Sequence, residues 1–402
     1  MKNKEKLRDL ILLITLIFVF STVLTGCTTY KNFKDYFIEA NVNINETVRI
    51  GVFEPLTGEH SEQGKLEIQG IELAHELYPR VLGKEVELIY ADNKSDTEVA
   101  AVAAKELVDR QVSVVLGSWS STLSLIGGEY FAEAKIPSIS ITATNPLVTS
   151  CSEYSFRTCF VESFQGVALA KYAVEDMGFK RAAIIKDADD DYAAAVSTTF
   201  SDKFIALTEN KNSIVRVVDI TSGEKDFKDQ LSGIKSLNAE VIFLSCKIAD
   251  TAEIMKQAKE IGIEAVFMGT SEWESEKLIT IGGEAVDGAV FSTFFDSDSN
   301  LTEKTDVFLK AYREKYGKDS NPQSSEALGF DAYLLAINAI KSAGTSEDGL
   351  KIRVHLAKTK DFLGAAGSIT FDMNGNPIRS VVIKTIKDGE FIYTDTVEPS
   401  WQ

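Results

Sequence analysis

Residues 112–146 read VSVVLGSWSSTLSLIGGEYFAEAKIPSISITATNP, and their pattern decides the fold class. Val112 to Gly117 is a β-branched run with little polar alternation, as expected of a strand covered on both faces. Apolar positions at helical spacing follow over 123–134, and a second buried run occupies 136–142. Strand, helix and strand in so short a span make a βαβ unit, whose two strands lie parallel.

The alternation continues outward in both directions. Strands are predicted at 48–53, 86–91, 182–187, 214–220, 240–245, 265–269 and 288–293. Amphipathic helices are predicted around 64–78, 97–110, 164–177, 251–261, 305–316 and 323–342. Over 97–110, Val99, Val102, Ala103, Leu107 and Val108 are expected to share the sheet-facing side. The tail differs: 368–372 and 381–397 read as antiparallel strands, the latter turning at Asp388-Gly389. A chain of 402 residues with this pattern favours two α/β domains, with ligands bound beyond the carboxyl ends of the strands.

Composition narrows the function. With 44% hydrophobic and 25% charged residues the chain is globular, neither disordered nor polytopic. Lys and Arg number 42 against 60 Asp and Glu, and a net charge of −18 does not attract nucleic acid over long range. No nucleic-acid partner is expected.

At the N-terminus, Lys2, Lys4, Lys6 and Arg8 precede an uncharged apolar stretch from Leu10 to Leu24. This is the form of a secretory signal, with an uncleaved anchor helix as the alternative. Leu24-Thr25-Gly26-Cys27 resembles the bacterial lipobox, which implies a signal peptide over 1–26 and a lipid on the Cys27 thiol, holding the protein at the outer face of the cytoplasmic membrane. Residues 28–46 are polar and read as a tether. In an oxidising exterior the remaining cysteines need a reading. Cys151 and Cys159 flank a turn-like stretch and are expected to form a disulfide, two buried thiols being the alternative. Cys246 ends an apolar run and reads as a small buried hydrophobe.

Several chemistries are excluded. Gly58 to Lys65 has five residues between its glycines and Leu66 where Ser or Thr should follow, so it is not a phosphate loop. His60, His75 and His355 lack metal-ligand spacing, and no nucleophile elbow or Cys-x-x-Cys pair occurs. No cofactor, no metal and no catalytic activity are expected. What remains is hydroxyl groups at strand ends. Ser118-Trp119-Ser120-Ser121-Thr122 opens a helix, where free backbone N–H groups make a site for a carboxylate, although Ser120 and Ser121 also suit plain capping. Thr142-Ala143-Thr144-Asn145-Pro146 ends the next strand, and parallel pairing would bring the two loops together.

Over residues 47–390 the chain resembles type I periplasmic binding proteins of the leucine/isoleucine/valine-binding family, the extracellular solute receptors of ABC importers. The resemblance is carried by IGVFEPLTGEHSEQGKLEIQGIELA (50–74), VLGSWSSTLS (115–124), KIPSISITATNP (135–146), FRT (156–158) with Gln165-Gly166, TSGEKDFKDQL (221–231) and ADTAEIMKQAKEIGI (249–263). It implies two doubly wound α/β lobes joined by three hinge segments and closing like a trap. With crossings near 161, 294 and 366, lobe one comprises 47–160 and 295–365, and lobe two 161–294 and 366–402.

The resemblance also implies roles for residues. Ser121 and Thr144 match positions that hold an amino acid's α-carboxylate, and the Thr142 carbonyl matches one that accepts from the α-ammonium. Tyr192 matches an aromatic of lobe two that covers the ligand, unless it is merely an exposed helix-start tyrosine. Trp119 walls the pocket or packs in the core. Two positions depart from the family pattern. Ser271 stands where amino-acid binders have an acidic residue, with Glu272 next to it, and Lys247 stands where a tyrosine is common. A buried ammonium needs a carboxylate, so either Glu272 supplies it or the ligand lacks that charge. Lys247 either favours an acidic or carbonyl-bearing ligand or is a solvated rim lysine. The expected function is a lipid-anchored receptor that captures a small ligand, most simply a branched-chain or other apolar amino acid, and delivers it to permease transmembrane subunits. A trap that reports to a sensor partner, or one for an amide or aromatic acid, is the alternative.

Overall fold

The run TVRIGVFE forms β1 (Thr47–Glu54), with Ile50 and Val52 wholly buried under helices packed on the face of the sheet. The computed structural model describes residues 47–299 and 301–398. The proposed signal peptide, the lipid site Cys27 and the tether lie outside them. β1 belongs to a sheet with β2 (Arg80–Val81), β3 (Lys84–Asp92), β4 (Val114–Leu116), β5 (Ser138–Ser140) and β6 (Ser155–Arg157), in the order β2-β3-β1-β4-β5-β6. Ile50 pairs with Val114, Leu116 with Ile139, and Ile139 with Phe156, all in parallel.

A second sheet contains β7 (Ala182–Asp187), β8 (Ile214–Ile220), β9 (Val241–Ser245), β10 (Val266–Gly269) and β11 (Val290–Thr293). The chain then passes through three antiparallel strands, β12 (Phe362–Gly364), β13 (Gly367–Phe371) and β14 (Pro377–Ile378). It returns to the second sheet as β15 (Val381–Lys387) and β16 (Glu390–Val397), whose hairpin turns at Asp388-Gly389. The resulting order is β16-β15-β11-β10-β9-β7-β8, a parallel sheet with an antiparallel edge. The two sheets define two lobes.

Helices cover both sheets. Thr97–Asp109 starts where Asp96 accepts from the N–H groups of Glu98 and Val99, so Asp96→Ala is expected to cost about 1 kcal/mol, read as a lower urea midpoint. Its buried positions are Ala100, Ala103, Ala104 and Leu107, whereas Val102 is 70% exposed, which corrects the predicted stripe by rotating it toward the small residues. Helix Ser324–Ala343 packs tightly on helix Ser61–Leu77 through two glycines. A Cβ on Gly70 would lie 1.9 Å from the Glu326 carbonyl oxygen, and one on Gly329 2.2 Å from that of Glu67. This contact ties the later helix to the first sheet.

Two of the chain crossings run side by side, with the rings of Phe160 and Phe294 at 4.3 Å. The third is not at 366. Residues 366–379 stay with the first sheet: the N–H of Arg157 donates to the Gly375 carbonyl, Thr149 Oγ1 donates to Asn376 Oδ1, and Arg379 Nη1 donates to the Thr158 carbonyl. The crossing therefore falls near Ser380, because the hairpin β13–β14 completes the surface beside β6 before the chain turns back. The expected disulfide is also absent. Cys151 is exposed after the short helix Leu147–Ser150, while β6 carries Cys159 into the core, where its Sγ donates to the Ala143 carbonyl at 3.3 Å. Cys246 is buried as expected.

Among the described residues, no helix is long and apolar enough to cross a membrane.

Candidate functional site

The carboxyl ends of β1, β4 and β5 meet at one edge of the first lobe. Helix Ser121–Glu133 begins directly after the β4 loop, with Ser120 as its cap accepting from the Leu123 N–H. Ser121 is thereby released from the capping role, and its Oγ accepts from the Asn145 N–H at 3.3 Å. This bond joins the two hydroxyl loops that parallel pairing was predicted to bring together.

Arg157 fixes the second loop. Its side chain is wholly buried, and its Nη1 and Nη2 donate to the carbonyls of Ala143 and Asn145, both at 2.7 Å. Thr149 Oγ1 accepts from Nη2 at 3.2 Å. The loop carbonyls are thus assigned one by one. That of Ile141 accepts from the Cys159 N–H at 3.1 Å and that of Thr144 from the Glu162 N–H at 3.1 Å. Thr142 is different. Its hydroxyl and N–H go to the Glu67 carboxyl, and among the described residues no donor reaches its carbonyl. An oriented carbonyl without a protein donor is a ready acceptor for a ligand.

Trp119 donates its N–H to Glu54 Oε2 at 3.0 Å, and its half-buried ring stacks against His60 with centroids 4.4 Å apart. The indole therefore stands at the wall of the loop region and not in the core. Sequence reasoning had given His60 no role beyond its failure as a metal ligand.

The second lobe presents a complementary set. Tyr192 opens helix Asp191–Thr208 after β7, and its hydroxyl accepts from Gln165 Nε2 at 3.2 Å. Gln165 is a buried hub whose Oε1 also accepts from the Ser271 N–H at 2.9 Å and from Ser292 Oγ at 3.0 Å. Ser271 is therefore held through its backbone, at the start of the 3-10 turn Ser271–Trp273 after β10. Glu272, next in that turn, lies within electrostatic reach of Tyr192, Asp190 and Glu162. Crowding by surrounding protein, then the Asp190 and Glu162 carboxylates, push the Glu272 carboxyl up to about 7 although its outer surface meets solvent. Burial likewise raises Glu162 to about 7, and its carboxyl accepts from the Thr144 side chain across the first crossing. Lys247 caps the start of helix Ile248–Glu260 after β9, is exposed, and forms no ion pair among the described residues. A hollow of about 820 Å³ bordered by Phe267, Asp287 and Asp388 lies at the amino ends of β10 and β11, the opposite end of the sheet from these groups.

Two buried carboxyls bonded to these loops, Glu54 and Glu67, were missed by sequence reasoning. Each had a signal: a charge closing the buried run VRIGVF, and a charge beside Ile68 and Ile71 on the inner face of an amphipathic helix.

Two α/β lobes with polar loops facing one another at their strand ends, and chain crossings between them, define a two-lobed solute-binding protein. The comparisons agree. The family model described as periplasmic binding protein matches residues 47–390, and the chain belongs to that family. Its members are solute-binding proteins and not enzymes. A Leu/Ile/Val-binding protein homolog of Brucella melitensis is 27% identical over 82% of this chain and 88% of its own. The crystal structure of the leucine-binding protein LivK of Thermotoga maritima is 35% identical, with a TM-score of 0.76 over 88% of this chain and 99% of that one. LivJ of Streptococcus pneumoniae, solved with isoleucine, is 28% identical with a TM-score of 0.75, over 88% and 100% of the two chains.

Proposed function

We propose that this protein is the lipid-anchored receptor of an ABC importer for an apolar amino acid, most simply a branched-chain one. The single observation that carries the reading is the Thr142 carbonyl, oriented by Glu67 and without a donor among the described residues, beside the N-terminus of helix Ser121–Glu133. That helix end, with the Ser121 hydroxyl and the Thr144 hydroxyl once it turns from Glu162, suits a carboxylate, and the Thr142 carbonyl suits an ammonium. An amino acid carries both groups at this spacing. Glu272 supplies the counter-charge from the second lobe, Tyr192 covers the ligand on closure, and the Trp119–His60 pair walls its side chain. Ser271 and Lys247 border the entrance. The relatives named for leucine, isoleucine and valine support the ligand class. Closure is a population shift toward the state in which both lobes touch the ligand, and permease subunits would read that state. Lipid on Cys27 would keep the receptor at the outer face of the membrane.

A thermal-shift screen against the twenty amino acids, amides and aromatic acids tests this. A ligand at 100 times its Kd stabilises by about 2.7 kcal/mol, so a rise with leucine, isoleucine or valine is expected. No rise with any amino acid would overturn the reading. Ser121→Ala and Thr144→Ala are each expected to weaken binding by about 1–3 kcal/mol in calorimetric titration, with little change in the urea midpoint.

A further inference from the structure

Behind Thr142, Glu54 and Glu67 face one another from the end of β1 and the inner side of helix Ser61–Leu77, both at 0% exposure. Neither forms an ion pair with Lys, Arg or His among the described residues. Glu54 Oε2 accepts from the Trp119 N–H and Glu67 Oε1 from the Thr142 hydroxyl. The remaining oxygens, Glu54 Oε1 and Glu67 Oε2, have no donor among the described residues, and the two carboxyls lie within interaction distance of each other. Two adjacent buried carboxylates do not both ionise, so one of the pair is a carboxylic acid, and its hydrogen can reach the orphaned oxygen of the other.

We propose that Glu54 carries the proton and donates it to Glu67, and that the charge so held on Glu67, directly behind Thr142, draws a ligand ammonium to the Thr142 carbonyl. The pair is a positioning and selecting device of the first lobe, and it rests on the amino-acid reading given above. Burial raises both carboxyls, Glu54 well above the usual range and Glu67 to about 7, so the pair titrates as one unit.

The surroundings leave the charge on Glu67 uncompensated. Beyond β6 the Cys159 thiol faces it and is pushed by burial up to about 11, so it stays neutral. Arg157 and Arg379 lie behind that thiol, Arg157 turned to the loop carbonyls and Arg379 to the Thr158 carbonyl and the Asp331 carboxyl. From helix Ser324–Ala343, Glu326 is occupied by the Tyr312 hydroxyl and the Gln323 N–H. A ligand ammonium is the missing partner. Above the titration of Glu67 the charge is present; as pH falls through about 7 it is lost, and affinity for an ammonium ligand falls with it.

The test measures Kd for L-leucine and L-isoleucine from about pH 5 to about pH 9 in wild type, Glu54→Gln and Glu67→Gln. The amide of Glu54→Gln donates to Glu67 without a shared proton, so the acid-side loss of affinity should move down by about one pH unit or more. Glu67→Gln should weaken binding at the alkaline end by about tenfold or more. Glu162 and Glu272 titrate in the same range but are unaltered in both variants, so the difference between profiles reports the pair. Superimposable profiles for wild type and Glu54→Gln would overturn the proposal while leaving the amino-acid reading intact. Infrared spectroscopy of the ligand-free protein gives a readout independent of any ligand. A carboxylic-acid band in the wild-type minus Glu54→Gln difference spectrum at neutral pH is expected, the bands of unaltered groups such as Glu162 and Glu272 cancelling, and its absence overturns the shared proton even if no amino acid binds. Should Glu54→Gln fail to fold, Glu67→Gln must keep the band at a shifted frequency, because Glu54 stays protonated and loses its carboxylate acceptor; an unshifted band would overturn the pairing.

Discussion

Lys384→Met is expected to lower the stability of the protein by about 3–5 kcal/mol, read from the urea midpoint. Lys384 is 6% exposed and its Nζ lies 2.6 Å from Glu274 Oε1 and 3.0 Å from Asp296 Oδ2. The other Glu274 oxygen accepts from Thr293 Oγ1 at 2.6 Å and Ser324 Oγ at 2.7 Å. Methionine keeps the volume but removes the one cation, leaving two carboxylates buried together. That desolvation is no longer offset, and they repel. In wild type, burial tends to lower the Lys384 ammonium, but Glu274 and Asp296 together raise it above the ordinary lysine value. A raised cationic group contributes fully below its unfolded pKa and loses that contribution only as pH rises through the folded one, so this cluster keeps its effect throughout the neutral range. Because Ser324 belongs to a helix packed on the first lobe and Lys384 to a strand of the second sheet, the cluster also fastens the lobes where the chain crosses.

Arg157→Met is the second large effect, roughly 3–5 kcal/mol of stability together with loss of ligand binding. The guanidinium makes two charge-assisted bonds at 2.7 Å, one to the buried Ala143 carbonyl and one to the partly buried Asn145 carbonyl, each worth about 1.5–3 kcal/mol. Without it, the carbonyls of Ala143 and Asn145 are stranded and the loop bearing Thr142 and Thr144 loses its frame. Arg157→Lys separates the two roles of charge and shape. A single ammonium does not span both carbonyls as the fork does, so lysine should restore little of the binding measured by titration calorimetry. Full rescue by lysine would show that charge alone matters there.

Much of the fold could be read along the chain because its determinants are local. Runs such as Val241 to Leu244 are apolar at every position since both faces of a parallel strand are covered, and the helices between them carry one apolar side. The short strands β2, β6 and β12 escaped, being too brief to show a period. The hydroxyl loops were legible because strand-end position and helix-start chemistry are both written locally: Ser121 and Asn145 do meet. The apolar pattern misled at Val102, where three neighbouring alanines let the backbone approach the sheet and the larger valine turns outward.

By itself, then, the sequence determined the α/β class, the parallel order implied by alternating strands and helices, and the meeting of two hydroxyl loops at the strand ends. Each of these depends on neighbours within a few turns of chain. Tertiary structure alone decided the partners of buried charges. Arg157 with the Ala143 carbonyl, Glu54 with Glu67, and Lys384 with Glu274 join residues brought together by sheet order and chain crossings, and nothing in the local pattern of either partner names the other. The same holds for Cys151 and Cys159. Their spacing permits a bridge, but the strand between them sends one thiol inward and leaves the other outside. A buried polar group takes whichever partner the packed backbone presents, because leaving it unpaired costs more than any local preference can return.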